Sequence, residues 1–175
     1  AGFLSSGKKV NPIGWYDLKV RSEKGALMSA DRSEGIQVID PNASAALVYM
    51  LYNVVENGTG KRAKIPGWEL AGKTGTSQLM KDAWFIGFNP EYVCGIWMGY
   101  DDNTPLEGVT GGGIPALLCS KIISQLIDKN SQAKLSYLTP KEFEEFVVTN
   151  LTEKKQEEEI LNEKSIIKAL IKTLF

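Results

Sequence analysis

The 175-residue chain contains no histidine. That removes a Ser-His-Asp triad and any His-ligated metal centre from what these residues can build. A base for acyl transfer has to be a lysine or a carboxylate. Cysteine is scarce as well. Cys94 and Cys119 stand far apart, each inside an apolar stretch, which reads as two buried free thiols rather than a disulfide framework or a metal site. Charge of one sign is missing: 20 Lys plus Arg face 21 Asp plus Glu, for a formal net charge of -1. No net basic field gathers nucleic acid, and no nucleic-acid partner is expected. No apolar run reaches the roughly 18 residues that span a bilayer, and no signal peptide heads the chain. What remains is an ordinary globular composition, 43% apolar, long enough for one domain with a modest core.

Read in order, Ala1 to Ser6 suits the last turn of a helix closed by Gly7. Lys8 to Val20, followed by a polar turn and Ala26 to Met28, predicts a hairpin in which Trp15 and Tyr16 serve packing. Asp40-Pro41 is a helix start, with Asp40 placed to cap free N–H groups and Pro41 fitting the first turn. Ala43, Leu47, Met50, Leu51, Val54 and Val55 follow at helical spacing as the expected core stripe, and Gly58 stops the run. Strands are expected over Leu70 to Ser77, Trp84 to Phe88 and Tyr92 to Gly99, the last two joined by the turn Asn89-Pro90-Glu91. Such short connections make them antiparallel, and their near-continuous apolar content predicts burial on both faces, under helices on each side. Asp101-Asp102-Asn103 lacks the spaced ligands of a calcium loop and reads as a turn capping its own backbone. Thr110 to Gly113 precedes a helix opened by Pro115, with Leu118, Ile122, Leu126 and Ile127 at core spacing. After about residue 138 the composition shifts. Lys141 to Phe175 is dense in Glu and Lys, with Ile160, Ile167, Ile171 and Leu174 on one stripe, and reads as a charged amphipathic helix or hairpin.

The chemistry concentrates in Ala71-Gly72-Lys73-Thr74-Gly75-Thr76-Ser77-Gln78. Glycines 72 and 75 let another backbone or a ligand lie close alongside. Lys73 brings a fixed positive charge, and Thr74 and Thr76 bring hydroxyl donors, a set that suits a carboxylate or an oxyanion. Gly67 to Thr74 also satisfies the spacing of a nucleotide-binding P-loop. That loop needs a buried strand before it and a helix opening at Lys73-Thr74. The cationic, Pro-terminated stretch Lys61 to Pro66 and the β-branched, Gly-broken Thr74 to Thr76 offer neither.

A longer series includes the same residues. Val38-Ile39-Asp40-Pro41, Val54-Val55-Glu56-Asn57-Gly58-Thr59-Gly60, Ala71-Gly72-Lys73-Thr74-Gly75-Thr76, Asp82 to Pro90 and Gly99-Tyr100-Asp101-Asp102-Asn103 occur in that order. The series resembles the transpeptidase domain of the class A, bifunctional penicillin-binding proteins, the peptidoglycan synthases. Thr110 to Ala116 looks like the segment opening that domain's last helix. The resemblance covers roughly residues 1 to 127. It implies an α/β fold of the α+β type, with an antiparallel sheet flanked by helices. Residues 1–138 would be the C-terminal half of the transpeptidase domain, and 139–175 a charged helical tail.

The family's chemistry uses Ser-x-x-Lys, Ser-x-Asn and Lys-Thr-Gly. Only the third is convincing here. No serine has asparagine two positions later, and the Ser-x-x-Lys spacings at Ser5, Ser6, Ser131 and Ser165 lie too close to Lys-Thr-Gly or downstream of it. The resemblance therefore implies one wall of a site whose nucleophile lies upstream of this chain. It implies Lys73 and Thr76 as catalytic groups and Thr74, Gly75 and Thr76 as substrate contacts. The implied partners are a peptidoglycan stem peptide, β-lactam antibiotics and the missing upstream half of the domain, with no cofactor and no metal. The implied location is the periplasmic face of the bacterial inner membrane, by an anchor outside this chain. A non-catalytic interaction module, using the half-fold and the charged tail, is the remaining alternative.

Overall fold

The computed structural model describes residues 6–9, 18, 19, 27, 28, 35–128, 130, 131 and 133–174. The chain divides into two compact units, Ala1–Tyr137 and Leu138–Phe175.

In the first unit, four two-residue strands come before the main elements. β1 (Lys8–Lys9) pairs antiparallel with β4 (Ile36–Gln37), and β2 (Leu18–Lys19) with β3 (Leu27–Met28). The expected hairpin is therefore present at β2–β3, while Lys8 and Lys9 pair elsewhere. The expected N-terminal helix turn and the Trp15-Tyr16 packing fall outside the described residues.

Helix α1 (Pro41–Glu56) starts as its sequence dictates. The Asp40 Oδ1 accepts the Ala43 N–H at 2.9 Å, Pro41 occupies the first turn, and the Asn57 N–H closes the end on Asn53. Its buried positions are Ser44, Ala46, Val48 and Val55. Of the stripe expected from spacing, Met50 is exposed, and Ala43, Leu47, Leu51 and Val54 are only partly covered. The helix is apolar around more than half its circumference, so spacing alone does not select the face that meets the sheet.

The sheet is antiparallel in the order β5 (Ala71–Thr76), β6 (Asp82–Phe88), β7 (Val93–Gly99). The β6–β7 connection is an Asx turn: buried Asn89 accepts the N–H groups of Glu91 and Tyr92 on its Oδ1 at 3.2 and 2.6 Å. Side-chain alternation sends Phe85 to one face and Phe88 to the other. Phe85 joins a core with Val55, Leu70 and Ile123. Phe88 joins a second cluster with Val48, Ala71 and Leu135. Complete burial of a phenylalanine contributes roughly 1.5–3 kcal/mol.

Helix α2 (Ile114–Leu126) covers the Phe85 face through Ala116, Cys119, Ser120 and Ile123, with Ile127 buried just beyond it. This corrects the expected stripe, because Leu118, Ile122 and Leu126 are exposed. The reason is steric. A Cβ on Gly87 would stand 2.8 Å from the Cys119 sulfur. The bare strand surface admits the small-residue face of the helix, not the leucine face.

The opposite face is covered by α1 only around Ala71 and Phe88. Trp84 and Trp97, directly paired across β6 and β7, remain 45% and 44% exposed, and Ile86 and Val93 are about half exposed. Burial on both faces was the expectation for these strands. One end of the second face has no cover among the described residues.

The second unit holds helix α3 (Pro140–Leu174), one continuous helix rather than a hairpin. Its start is a capping box that spacing had not flagged. The Glu142 Oε2 accepts the Thr139 N–H at 2.8 Å and its hydroxyl at 2.7 Å, and the Glu142 N–H reaches the Thr139 Oγ1 at 3.4 Å.

Candidate functional site

Among the described residues β5 is an edge strand of the sheet, paired with β6 on one side. Pairing with β6 fixes it residue by residue, with Lys73 opposite Ile86, Thr74 opposite Phe85, Gly75 opposite Trp84 and Thr76 opposite Ala83. Alternation then puts Lys73 and Gly75 on the face shared with Trp84, and Thr74 and Thr76 on the α2 face. The four residues singled out from sequence therefore lie on one strand, but not on one surface. Of these four, Lys73 and Thr74 are joined directly, through the Thr74 carbonyl.

Each polar group has a defined partner. The Lys73 Nζ donates to the carbonyl of Thr74 at 2.7 Å. The Thr74 hydroxyl lies 2.9 Å from that of Thr59. The Thr76 Oγ1 accepts the Gly111 N–H at 3.1 Å. Thr59 belongs to the Asn57–Arg62 loop, and Gly111 to the glycine run before α2. Local spacing carries no sign of either contact, which spans 15 positions in one case and 35 in the other.

The glycine run sits tightly on the strand. A Cβ on Gly111 would collide with the carbonyl oxygens of Trp84 and Gly75, and one on Gly112 with that of Thr59. Loop 57–60, strand β5 and run 110–113 thus form one layered structure around Thr74 and Thr76.

The P-loop reading fails here. Lys73 and Thr74 are mid-strand residues, no helix opens at them, and Ile65 and Trp68 form an isolated antiparallel bridge in the loop before. At the Asp101–Asn103 turn, the Asp102 Oδ1 accepts the Thr104 N–H at 2.9 Å. Hydrogen bonding from Thr104 holds this exposed carboxyl below its usual range. The carboxylate is thus engaged by its own turn. Among the described residues, no three His, Cys, Asp or Glu side chains gather as a metal site.

Of the remaining Ser-x-x-Lys matches, the Ser131 hydroxyl donates to Glu91 at 2.5 Å and the Ser165 hydroxyl to the Asn162 carbonyl at 2.7 Å. A cavity of about 650 Å3 lies elsewhere, lined by Tyr52, the ion-paired Glu56 and Lys64, Trp68, Glu69 and Lys134, and includes none of the β5 site residues. Beside it the Leu135 N–H and Tyr137 hydroxyl donate to the Glu69 carboxylate, at 2.9 and 3.2 Å.

The family model described as penicillin binding protein transpeptidase domain matches residues 3–107. Penicillin-binding protein 1A of Aquifex aeolicus is 36% identical over 115 residues, covering 66% of this chain and 16% of the relative. Penicillin-binding protein 1A of Pseudomonas aeruginosa is 40% identical over 82 residues, 46% of this chain and 10% of the relative. The chain thus spans a small part of these relatives' length. The solved penicillin-binding protein 1A from Haemophilus influenzae superposes with a TM-score of 0.61 at 21% identity, over 79% of this chain and 26% of that one. Penicillin-binding protein A from M. tuberculosis, solved as an imipenem acyl-enzyme complex, gives 0.56 at 20% identity, over 72% of this chain and 29% of that one. These two likenesses are likenesses of fold.

Proposed function

The chain belongs to the penicillin-binding protein transpeptidase family, and on that premise we propose that it forms the Lys-Thr-Gly wall of a D-alanyl-D-alanine transpeptidase that cross-links peptidoglycan and is acylated by penicillin. The observation that supports this reading is the edge position of β5 among the described residues, with Lys73, Thr74 and Thr76 in sequence along it. An open strand edge offers main-chain hydrogen bonds to an extended peptide, and flanking polar side chains select its terminus. A stem peptide ending in D-alanyl-D-alanine is such a ligand.

In this reading the Lys73 ammonium supplies positive potential near the substrate carboxylate. The Thr74 and Thr76 hydroxyls, steadied by Thr59 and Gly111, hydrogen-bond that carboxylate, and Gly75 keeps the strand bare between them. The Thr76 N–H is one of two oxyanion donors, the other belonging to the nucleophilic serine. That serine, supplied by the upstream part of the domain, attacks the penultimate carbonyl, and the terminal D-alanine leaves as the amine. An amine from a neighbouring strand then attacks the acyl-enzyme and regenerates the serine. Penicillin enters by the same attack, with its lactam amide as the bond broken.

The partner that completes the site docks on the open sheet face. A contiguous apolar patch rimmed by polar residues marks an interaction surface, and Trp84, Ile86, Val93 and Trp97 form such a patch beside Lys73. The whole enzyme acts at the periplasmic face of the inner membrane, where its substrate is found. Among the described residues no helix is long and apolar enough to cross a membrane.

The test is intact mass after incubation with benzylpenicillin, with heat-denatured protein as control. The expected result is no adduct on this chain alone, and one adduct per molecule on a longer chain that includes the upstream part. A stoichiometric adduct on a serine of this chain alone overturns the assignment of the nucleophile. Absence of an adduct on the longer chain overturns the transpeptidase reading itself.

A further inference from the structure

Cys94 and Cys119, far apart in sequence, are brought together on the α2-covered face of the sheet. Cys94 stands directly opposite Gly87 across β6 and β7. Directly opposed residues point to the same face with Cβ positions roughly 4.5–5.5 Å apart. Gly87 has no side chain, and its empty Cβ position lies 2.8 Å from the Cys119 sulfur. The helix cysteine therefore occupies the space that Gly87 leaves vacant beside Cys94. Cys94 packs against the core cluster to which Cys119 belongs. Both are free.

We propose that Cys94 and Cys119 are a modification site, a dithiol that a disulfide donor converts to an intramolecular disulfide joining β7 to α2. The inference does not depend on the transpeptidase reading. The co-reactant is a small-molecule or protein disulfide, RSSR. Cys94, half-buried where Cys119 is 0% exposed, reacts first. Its thiolate attacks one sulfur of RSSR, forming Cys94–S–S–R and releasing RS⁻. The Cys119 thiolate then attacks the Cys94 sulfur, forming the Cys94–Cys119 bond and releasing the second RS⁻. The two cysteine protons finish on the two RS⁻ groups, so the pair loses two electrons and RSSR gains them.

The second step is the slow one. Burial pushes the Cys119 thiol well above its ordinary range and the neighbouring Cys94 adds to this, while a hydrogen bond from the Gly87 backbone acts in the opposite direction. Closure is therefore faster in mildly alkaline solution, where more thiolate is present.

The bond closes a loop that includes the Asp101–Asn103 turn, the glycine run and the first half of α2. It thereby ties the segment presenting the Gly111 N–H to Thr76 onto the sheet. A cross-link over a loop of this length constrains the unfolded chain and raises the melting temperature by several degrees.

The experiment uses the full chain, purified reduced and exposed to oxidised glutathione at mildly alkaline pH, both in the native state and during refolding from guanidinium. Denaturation in N-ethylmaleimide is followed by intact mass and peptide mapping. The expected product has lost two hydrogens, takes up no maleimide, yields one peptide pair joined through Cys94 and Cys119, and melts several degrees higher until reduced again. Cys119→Ala should stop at a glutathione adduct on Cys94, and Cys94→Ala should leave Cys119 unmodified in the folded protein. Two maleimides per chain by both routes, glutathione on both cysteines of the native sequence, or links only between chains each overturn the proposal.

Discussion

Thr59 and Thr74 hold their hydroxyl oxygens 2.9 Å apart, across 15 positions of sequence. The Asn57–Arg62 loop is thus fastened to the strand that carries Lys73. A hydroxyl fixed by one partner presents its second hydrogen-bonding direction in a defined orientation, whereas a lone threonine samples several rotamers. In a chain that includes the upstream part, Thr59→Val should lower the acylation rate by benzylpenicillin about fivefold, on the order of 1 kcal/mol for one hydrogen bond. The melting temperature should hardly move, because both groups are exposed. An unchanged acylation rate refutes the positioning role.

Gly111 gives a sharper structural test. Its missing Cβ leaves room for the backbone oxygens of Trp84 and Gly75, which cannot step aside as a flexible side chain can. Gly111→Ala should destabilise the chain by roughly 1–3 kcal/mol, the range for forcing extra volume into a packed site. Gly95→Ala, on the open face with nothing within 4 Å, should cost far less. Guanidinium melts of the two variants side by side decide this. Equal midpoints would mean that the glycine run does not sit tightly on β5.

The Glu69–Tyr137 contact predicts an alkaline transition. Burial first, and then the nearby Glu69 carboxylate, push the Tyr137 phenol up from 10.0 to about 12. A folded-state value raised above the unfolded one means that the contribution is intact below pH 10 and is lost as the pH rises towards 12. Tyrosinate absorbance should show one phenol titrating late, and Glu69→Gln should move its midpoint towards the ordinary value. A midpoint unaffected by that substitution would remove Glu69 from the explanation.

Paired substitutions on the open sheet face test the docking surface. Trp84→Glu with Trp97→Glu should leave this chain folded, because both rings are nearly half exposed. The same pair should reduce, at least tenfold, the penicillin acylation recovered when the chain is mixed with a separately produced upstream half. Recovery at the native level would place the docking surface elsewhere.

Local signals carried much of the fold. Asp40-Pro41 announced α1, and the β-branched and aromatic runs announced β5, β6 and β7 with Asn89 at the turn. The face of each helix was less legible. In α2 both the Cys119–Ile123 side and the Leu118–Ile122 side are apolar at helical spacing, and Gly87 on the sheet, which leaves room for the Cys119 sulfur, decides between them. Its effect depends on strand pairing, which no window along the helix contains. The candidate site divides in the same way. Lys73, Thr74 and Thr76 were singled out because separate motifs occur in order along the chain. Thr59 and Gly111 were not, because each meets the strand only after the chain has folded back.

The free edge of β5 has a further consequence. Unpaired N–H and C=O groups do not distinguish an incoming ligand from a strand of another molecule, and beside them lie the uncovered rings of Trp84 and Trp97. Which of the two fills the edge is set by concentration. Produced alone at high level, the chain should add strand to strand into oligomers and then aggregate. Short peptides that occupy the edge, or a cognate polypeptide synthesised alongside it, should keep it monodisperse by mass action.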